Sequence, residues 1–381
     1  MIFLARSILF LVYSTIVVVS LAAAQEFKSD NWFPVYVNGK AGYIDRTGKI
    51  VLEPKFDGAS YFSEGLARVS FGRDTIITEG FSQGFVDESG AVVIRGDWDV
   101  ASHFSEGLAA IGYDQTKQRF EFRGRTFYSS ASHPWYFWGF IDRTGKVVID
   151  TKFVHVSEFR DGVAVAAIPI MSEWKYGFID KSGNWVIRPQ FDWAGQFSEG
   201  LARIFLNGKY GYINLMGEMV IKPRLSYATD FSEGLSCVNL RGDVIKPVGM
   251  SSTRNSGNHA FIDKSGRVRF KTGKSRCYPF SNGLARVSID GLHRVIDKTG
   301  KFVFDPSIDV WSDFREGLAE VYLRGNEIGF VDTNGKIVIR KPFGRADDFY
   351  RGLAEVCESY DSGAKCGYID RTGKVIWEPS N

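Results

Sequence analysis

Gly42-Tyr43-Ile44-Asp45-Arg46-Thr47-Gly48-Lys49-Ile50 decides the fold, because it returns almost unchanged as Gly367-Tyr368-Ile369-Asp370-Arg371-Thr372-Gly373-Lys374-Val375. Looser copies start at Gly84, Gly139, Gly177, Gly211, Ala260, Arg294 and Gly329. An Asp opening a turn accepts a hydrogen bond from the backbone N–H two residues on. A Gly closing it supplies the left-handed conformation of a type I turn with a G1 bulge. Each copy is therefore expected to be a β-hairpin, with turn pairs such as Asp45 and Gly48, Asp142 and Gly145, Asp180 and Gly183, and Asp370 and Gly373. Self-similarity at a period of about 35 residues predicts a tandem repeat, which builds surfaces more readily than catalytic constellations.

A second phrase lies between successive hairpins, as in Phe62-Ser63-Glu64-Gly65-Leu66-Ala67-Arg68-Val69. Together the phrases predict a unit of three short strands: a Leu-Ala-Arg-Val strand, then the two strands of the hairpin. Pro54, Pro189, Pro223, Pro306, Pro342 and Pro379 follow the third strand and are expected to end it, since proline cannot donate to a ladder. The Phe of the second phrase reads as a core anchor and its Gly as a turn residue. Its recurring Glu (Glu64, Glu106, Glu199, Glu233, Glu316) reads as a turn or ladder residue in preference to a catalytic one.

These phrases resemble the WG-repeat family, named for a Trp-Gly pair opening the hairpin. The literal pair stands once, at Trp138-Gly139, while Tyr176-Gly177 and Tyr210-Gly211 keep an aromatic before the Gly. The resemblance spans Trp32 to Pro379 and implies tandem β-repeats. It implies no shared catalytic residues.

The architecture expected is all-β: about nine three-stranded units over 32–381, with hairpins near 42, 84, 139, 177, 211, 260, 294, 329 and 367, in an open, curved or superhelical solenoid-like array. Phe33-Pro34-Val35-Tyr36-Val37 fills the first-strand slot and Val375-Ile376-Trp377 the last, so first and last units share one register. That lacks the offset by which a propeller often completes its last blade from both termini. The alternative is a propeller-like toroid, favoured if the segment after the Pro supplies a fourth strand.

Residues 1–24 read as a signal peptide: Arg6 is their only charge, Ile8 to Leu21 is mostly apolar, and Ala22-Ala23-Ala24 offers a cleavage site. Residues 25–31 read as a short linker. The expectation is export to the periplasm or medium, with no membrane contact after cleavage. Without Arg6 the formal charge falls from +3 to +2, with basic and acidic residues interspersed, so no nucleic-acid patch is expected. Composition is that of a folded soluble chain, 44% hydrophobic and 24% charged. Export makes disulfides the expected state of the cysteines. Cys357 and Cys366 flank a natural hairpin loop and are favoured as one pair, which leaves Cys237 and Cys277 as the other.

Motifs for chemistry are missing. His103, His133, His155, His259 and His293 are scattered without metal-ligand spacing, and no nucleophile elbow or phosphate loop occurs. No cofactor or metal is expected. Function is sought where the repeat is interrupted. The first insertion gathers Phe120, Phe122, Arg123, Arg125, Phe127, Tyr128, Trp135, Tyr136 and Phe137, suited to stacking on sugars or packing on a protein. The bland reading is an extended hairpin covering its neighbour. The second, Asn239 to Asn258, holds Arg241-Gly242-Asp243, a sequence also present at Arg95-Gly96-Asp97 and too short to signal adhesion. The expectation is a non-enzymatic scaffold binding a protein or cell-envelope glycan. The alternatives are a polysaccharide hydrolase with paired carboxylates in a groove, and a purely structural spacer.

Overall fold

A computed structural model describes residues 28–71, 82–114, 120–122, 125–127, 136–170, 173–242, 257–323, 327–341, 343–359, 361 and 364–380. The signal-peptide expectation lies outside them. Nine antiparallel sheets, one per hairpin, follow one another along the chain, and a separate two-stranded sheet pairs Phe120–Phe122 with Arg125–Phe127. We number the nine as blades 1 to 9. Blade 2, typical of most, contains Gly58–Ala59, Ala67–Phe71, Ser82–Val86 and Val92–Gly96, in that spatial order.

The fourth strand comes from the segment after the Pro, usually a two-residue strand such as Gly58–Ala59 or Tyr227–Ala228 that precedes the Phe-Ser-Glu-Gly turn. Pro54, Pro189 and Pro223 do not end their outer strands, whereas the outer strand of blade 8, Ile337–Lys341, stops directly before Pro342. Ile50–Phe56, Trp185–Phe191 and Met219–Leu225 each run two residues past their proline. An outer strand has one free edge, so a residue without an N–H is tolerated there, beside a register shift.

That shift explains the Gly of the hairpin phrase. A Cβ added at Gly42 would lie 2.6 Å from the Leu52 carbonyl oxygen and 2.7 Å from the Pro54 nitrogen, because the outer strand crosses directly over it. Blade 7, with Arg294 at this place, keeps only an isolated Ile296–Phe302 bridge where the fourth strand would be.

The core lies between blades, each face burying its apolar side chains against the next. Phe140 of blade 3 meets Phe159 at 4.9 Å, and Phe178 of blade 4 meets Phe197 at 4.8 Å. The Phe-Ser-Glu-Gly turns link the same seams. Glu64 and Gly65 have φ of 53° and 76°, and Ser63 and Leu66 exchange both backbone bonds, which defines a type I′ hairpin. Most of these turns then reach the next one. The Ser63 hydroxyl donates to the Phe104 carbonyl at 2.7 Å, and the Glu64 carboxylate accepts the Gly107 N–H at 2.9 Å. Ser232 and Glu233 do the same to Phe280 and Gly283, with Lys298 adding an ion pair at 3.0 Å. The recurring Glu is thus a latch between blades.

The open array is corrected: the chain closes into a nine-bladed β-propeller. Gly90 of blade 2 packs on Leu52 of blade 1, Gly145 of blade 3 on Ile94 of blade 2, and Gly373 of blade 9 on Ile339 of blade 8. Gly48 of blade 1 completes the circle against Ile376 of blade 9. Phe33, Val35 and Ile44 share one buried cluster with Leu353 and Tyr368. Closure needs no exchanged strand, since the closing seam uses the same face-to-face packing as the others.

Among the described residues blade 1 has three strands, without the short first strand and the turn that follows it. Its Phe33 stands opposite Ile44, where other blades put a small residue, as Ala67 opposite Val86 or Ala354 opposite Ile369. The larger ring meets Tyr368 at 5.5 Å and fills the space of the absent turn Phe. Elsewhere the short strand covers the carbonyl of the next strand, as Ser60 N–H does that of Arg68. At blade 1 the Tyr368 hydroxyl donates instead to the bare Pro34 carbonyl, at 2.9 Å. Residues Lys28–Asn31, within the expected linker, form a 3-10 turn tied to blade 2 by the Ser29 N–H on Glu88.

The disulfides pair as favoured. Cys237–Cys277 joins blades 6 and 7, and Cys357–Cys366 links facing strands of blade 9. Among the described residues no helix is long and apolar enough to cross a membrane.

Candidate functional site: an axial cavity at the closing seam

With nine blades and, among the described residues, no such turn at blade 1, the inner rim is asymmetric. A cavity of about 760 Å³ opens there, lined by Ser60, Tyr61, Phe62 and Ser63 of blade 2, His103 of blade 3, Glu320 of blade 8, and Ala346, Asp347, Asp348 and Tyr350 of blade 9. Tyr61 spans the gap left at blade 1: its hydroxyl lies 3.3 Å from that of Tyr368, and its ring meets Tyr350 edge-on at 5.3 Å.

The charge of this rim follows from one position of the repeat, the third residue of Leu-Ala-Arg-Val. Arg68, Arg203 and Arg286 each donate to a carbonyl of the next blade: Ala101, Ala228 and Trp311 respectively. Arg203 and Arg286 also pair with Asp230 and Asp313. Blades 8 and 9 reverse the charge at the same place, to Glu320 and Glu355. Glu355 accepts from Arg345 at 2.8 Å and Tyr368 at 3.4 Å. The Glu320 carboxylate forms no hydrogen bond or ion pair among the described residues. Burial, then the neighbouring Asp348 and Asp347, pushes its pKa up to about 7 against the pull of Arg286. Across the cavity His103 donates toward Glu158 at 2.9 Å, and that bond raises its pKa.

Of the residues singled out in the first insertion, the two with described side chains, Tyr136 and Phe137, do not line this cavity. Arg123, Tyr128 and Trp135 lie outside the described residues, as do the side chains of Phe120, Phe122, Arg125 and Phe127. Tyr136 is half-buried, opposite Asp114 in blade 3 and 5.8 Å from the Trp138 ring. Phe137 is buried in the core between blades. Of the Arg-Gly-Asp sequences, Arg95 lies over the Phe71 ring and Asp97 accepts from the Tyr113 hydroxyl, both structural contacts. The second insertion falls outside the described residues from 243 to 256.

The turn residues hold their hairpins: Asp142 accepts from the Thr144 N–H and hydroxyl and the Lys146 N–H, bonds that lower its pKa. Glu355, Cys357 and Cys366 are close enough to hold an ion, but both sulfurs are already spent in one disulfide. The rim residues lie outside the insertions and within the repeat units themselves. Their signal was a charge reversal inside the repeat itself, Leu318-Ala319-Glu320-Val321 and Leu353-Ala354-Glu355-Val356 in place of Leu-Ala-Arg-Val.

The molecule is thus a tandem-repeat β-propeller. The chain belongs to the WG-repeat family: the family described as "WG containing repeat" matches residues 42–72, 84–115, 138–168, 176–210, 210–242, 260–292, 294–326 and 328–359. Each match runs from the third strand of one blade to the second strand of the next, so the sequence repeat is centred on a seam. The closing seam is divided between the two ends of the chain and escapes the match. No curated protein matches the chain significantly. Among solved structures, BamB from Moraxella catarrhalis is 11% identical, with 91% of this chain and 95% of that one covered and a TM-score of 0.44. The WD40 β-propeller domain of Doa1 is 12% identical, with 78% and 90% covered and a TM-score of 0.28.

Proposed function

We propose that the protein is an exported, non-enzymatic binding scaffold that holds a segment of a partner protein in the axial cavity. The observation that carries this reading is the cavity itself. It sits where the repeat pattern is broken, and its lining combines tyrosines with three carboxylates, side chains suited to recognition. The two disulfides are compatible with an oxidising compartment outside the cytoplasm. The test compares the chain 25–381 with a Tyr61→Ala/Tyr350→Ala variant on peptide and glycan arrays. Loss of the captured ligands in the variant supports the cavity as the site, and unchanged capture refutes it. Capture of glycans alone would move the reading to a cell-envelope glycan ligand.

A second reading, polysaccharide hydrolysis, draws on Glu320. A carboxyl with a pKa near neutral beside Asp347 and Asp348 is the composition of a general acid with a carboxylate partner. Release of reducing sugar by the wild-type chain, abolished in Glu320→Gln, would establish it. Binding without turnover favours the scaffold.

A further inference from the structure

The partner's chemistry can be narrowed from the lining of the cavity, resting on the scaffold reading above. Three carboxylates face it, and among the described residues no lysine or arginine lines it. Arg345 and Arg315 offer Asp347 and Asp348 only long contacts, at 3.5 and 3.9 Å. Glu320 has no hydrogen-bond or ion-pair partner among the described residues, and Arg286 acts on it only at longer range. Holding a half-buried carboxylate unpaired is unfavourable, so a well-placed external cation gains more here than on an open surface. The walls add an aromatic component: Tyr61 and Tyr350, 36% and 42% exposed, stand side by side at the opening. The guanidinium of Arg351 already lies 5.0 Å over the Tyr350 ring, which shows that this wall accepts a cation on its π face.

We infer that the cavity receives a lysine or arginine side chain of a partner protein, with Glu320, Asp347 and Asp348 as counter-charges and Tyr61 and Tyr350 as the wall for its methylene stem. A long, flexible basic side chain suits a cavity this size, since its stem packs on apolar surface while its head reaches the carboxylates.

The inference has a pH signature. Around Glu320 stand Asp347 and Asp348 of blade 9, Arg286 of blade 7 and His103 across the cavity. As pH rises through about 7 Glu320 gains its negative charge, and deprotonation of His103, whose pKa is raised by its bond to Glu158, acts in the same direction, so cation binding strengthens as pH rises.

The test uses fluorescence anisotropy with the chain 25–381 and four labelled octapeptides of one sequence, carrying two lysines, two arginines, two ε-acetyl-lysines or two glutamines. The lysine and arginine peptides are expected to bind, and the acetylated and glutamine peptides to bind about tenfold or more weakly. Glu320→Gln/Asp348→Asn should cause a similar loss for the lysine peptide. Glu320→Gln alone, with His103 intact, should keep only part of that peptide's rise in affinity with pH. Equal binding of all four peptides, or wild-type affinity in the double variant, overturns the inference. If binding ignores charge yet disappears in Tyr61→Ala/Tyr350→Ala, the scaffold reading stands and only the cationic specificity fails. If the tyrosine variant also binds normally, both fail.

Discussion

Glu320 shows how one residue can be read against its repeat equivalents. Arg68, Arg203 and Arg286 seal a seam, whereas the carboxylate in their place leaves its seam open to the cavity. Its raised pKa has a consequence for stability. The unfolded chain ionises this group near pH 4.5 and the folded one near pH 7. The folded state therefore binds more protons over that window, and stability falls as pH rises through it. Glu320→Gln should match wild type below about pH 4.5 and exceed it by about 1–2 kcal/mol at pH 8, discounting for partial solvent access. Urea denaturation at the two pH values checks this, and an equal difference at both would contradict it. Stability given up at one position is expected of functional residues. The reversal from Arg to Glu was visible in the sequence, but the cavity beside it was not, because neither phrase states which blades meet across the axis.

At the scale of elements, the hairpin turns were legible almost in full. Asp-x-[Ser/Thr]-Gly encodes its own hydrogen bonds, as Thr47 and Lys49 on Asp45 illustrate. The Phe-Ser-Glu-Gly turn was legible only in part, since its Glu acts on a residue of the next repeat. Glu199 accepts from the Gly234 N–H at 3.0 Å and pairs with Lys264 at 3.2 Å. Glu199→Ala should cost about 1–2 kcal/mol, measured by chemical denaturation, through loss of these charge-assisted bonds. Glu199→Asn should cost less, because Asn tolerates the left-handed backbone, as Asn282 does at φ 54°. The carboxylates of Asp45, Asp87, Asp142, Asp180, Asp263, Asp297 and Asp370 all have lowered pKa values. Their stabilisation is present above about pH 4 and is lost as pH falls below it. A pH series of thermal melts should therefore drop on the acid side over that range. No acid limb in the melts would count against the turn geometry. The outer strands at Pro54, Pro189 and Pro223 were not legible, because proline terminates central strands and need not end a strand at a free edge.

For the whole molecule, the repeat fixed the number of units and left their closure undecided. A period specifies each seam but not the angle accumulated over nine of them, so matching termini fit an open array and a ring alike. The clue lay in departures at the ends: Phe33 at a small-residue position and Tyr368 with a hydroxyl for the Pro34 carbonyl. Gly48→Val tests that seam locally. It combines a φ of +86° with a Cβ 2.3 Å from the Ile376 carbonyl oxygen, so the melting temperature should fall by several degrees or more. An unchanged melt would mean that blades 1 and 9 do not touch. The cavity exists only because those blades meet, and small-angle X-ray scattering of the monomeric chain 25–381 tests closure most directly. The closed propeller predicts a radius of gyration of about 21 Å. A clearly larger radius with the long distance tail of an extended superhelix would contradict the ring, and with it the site.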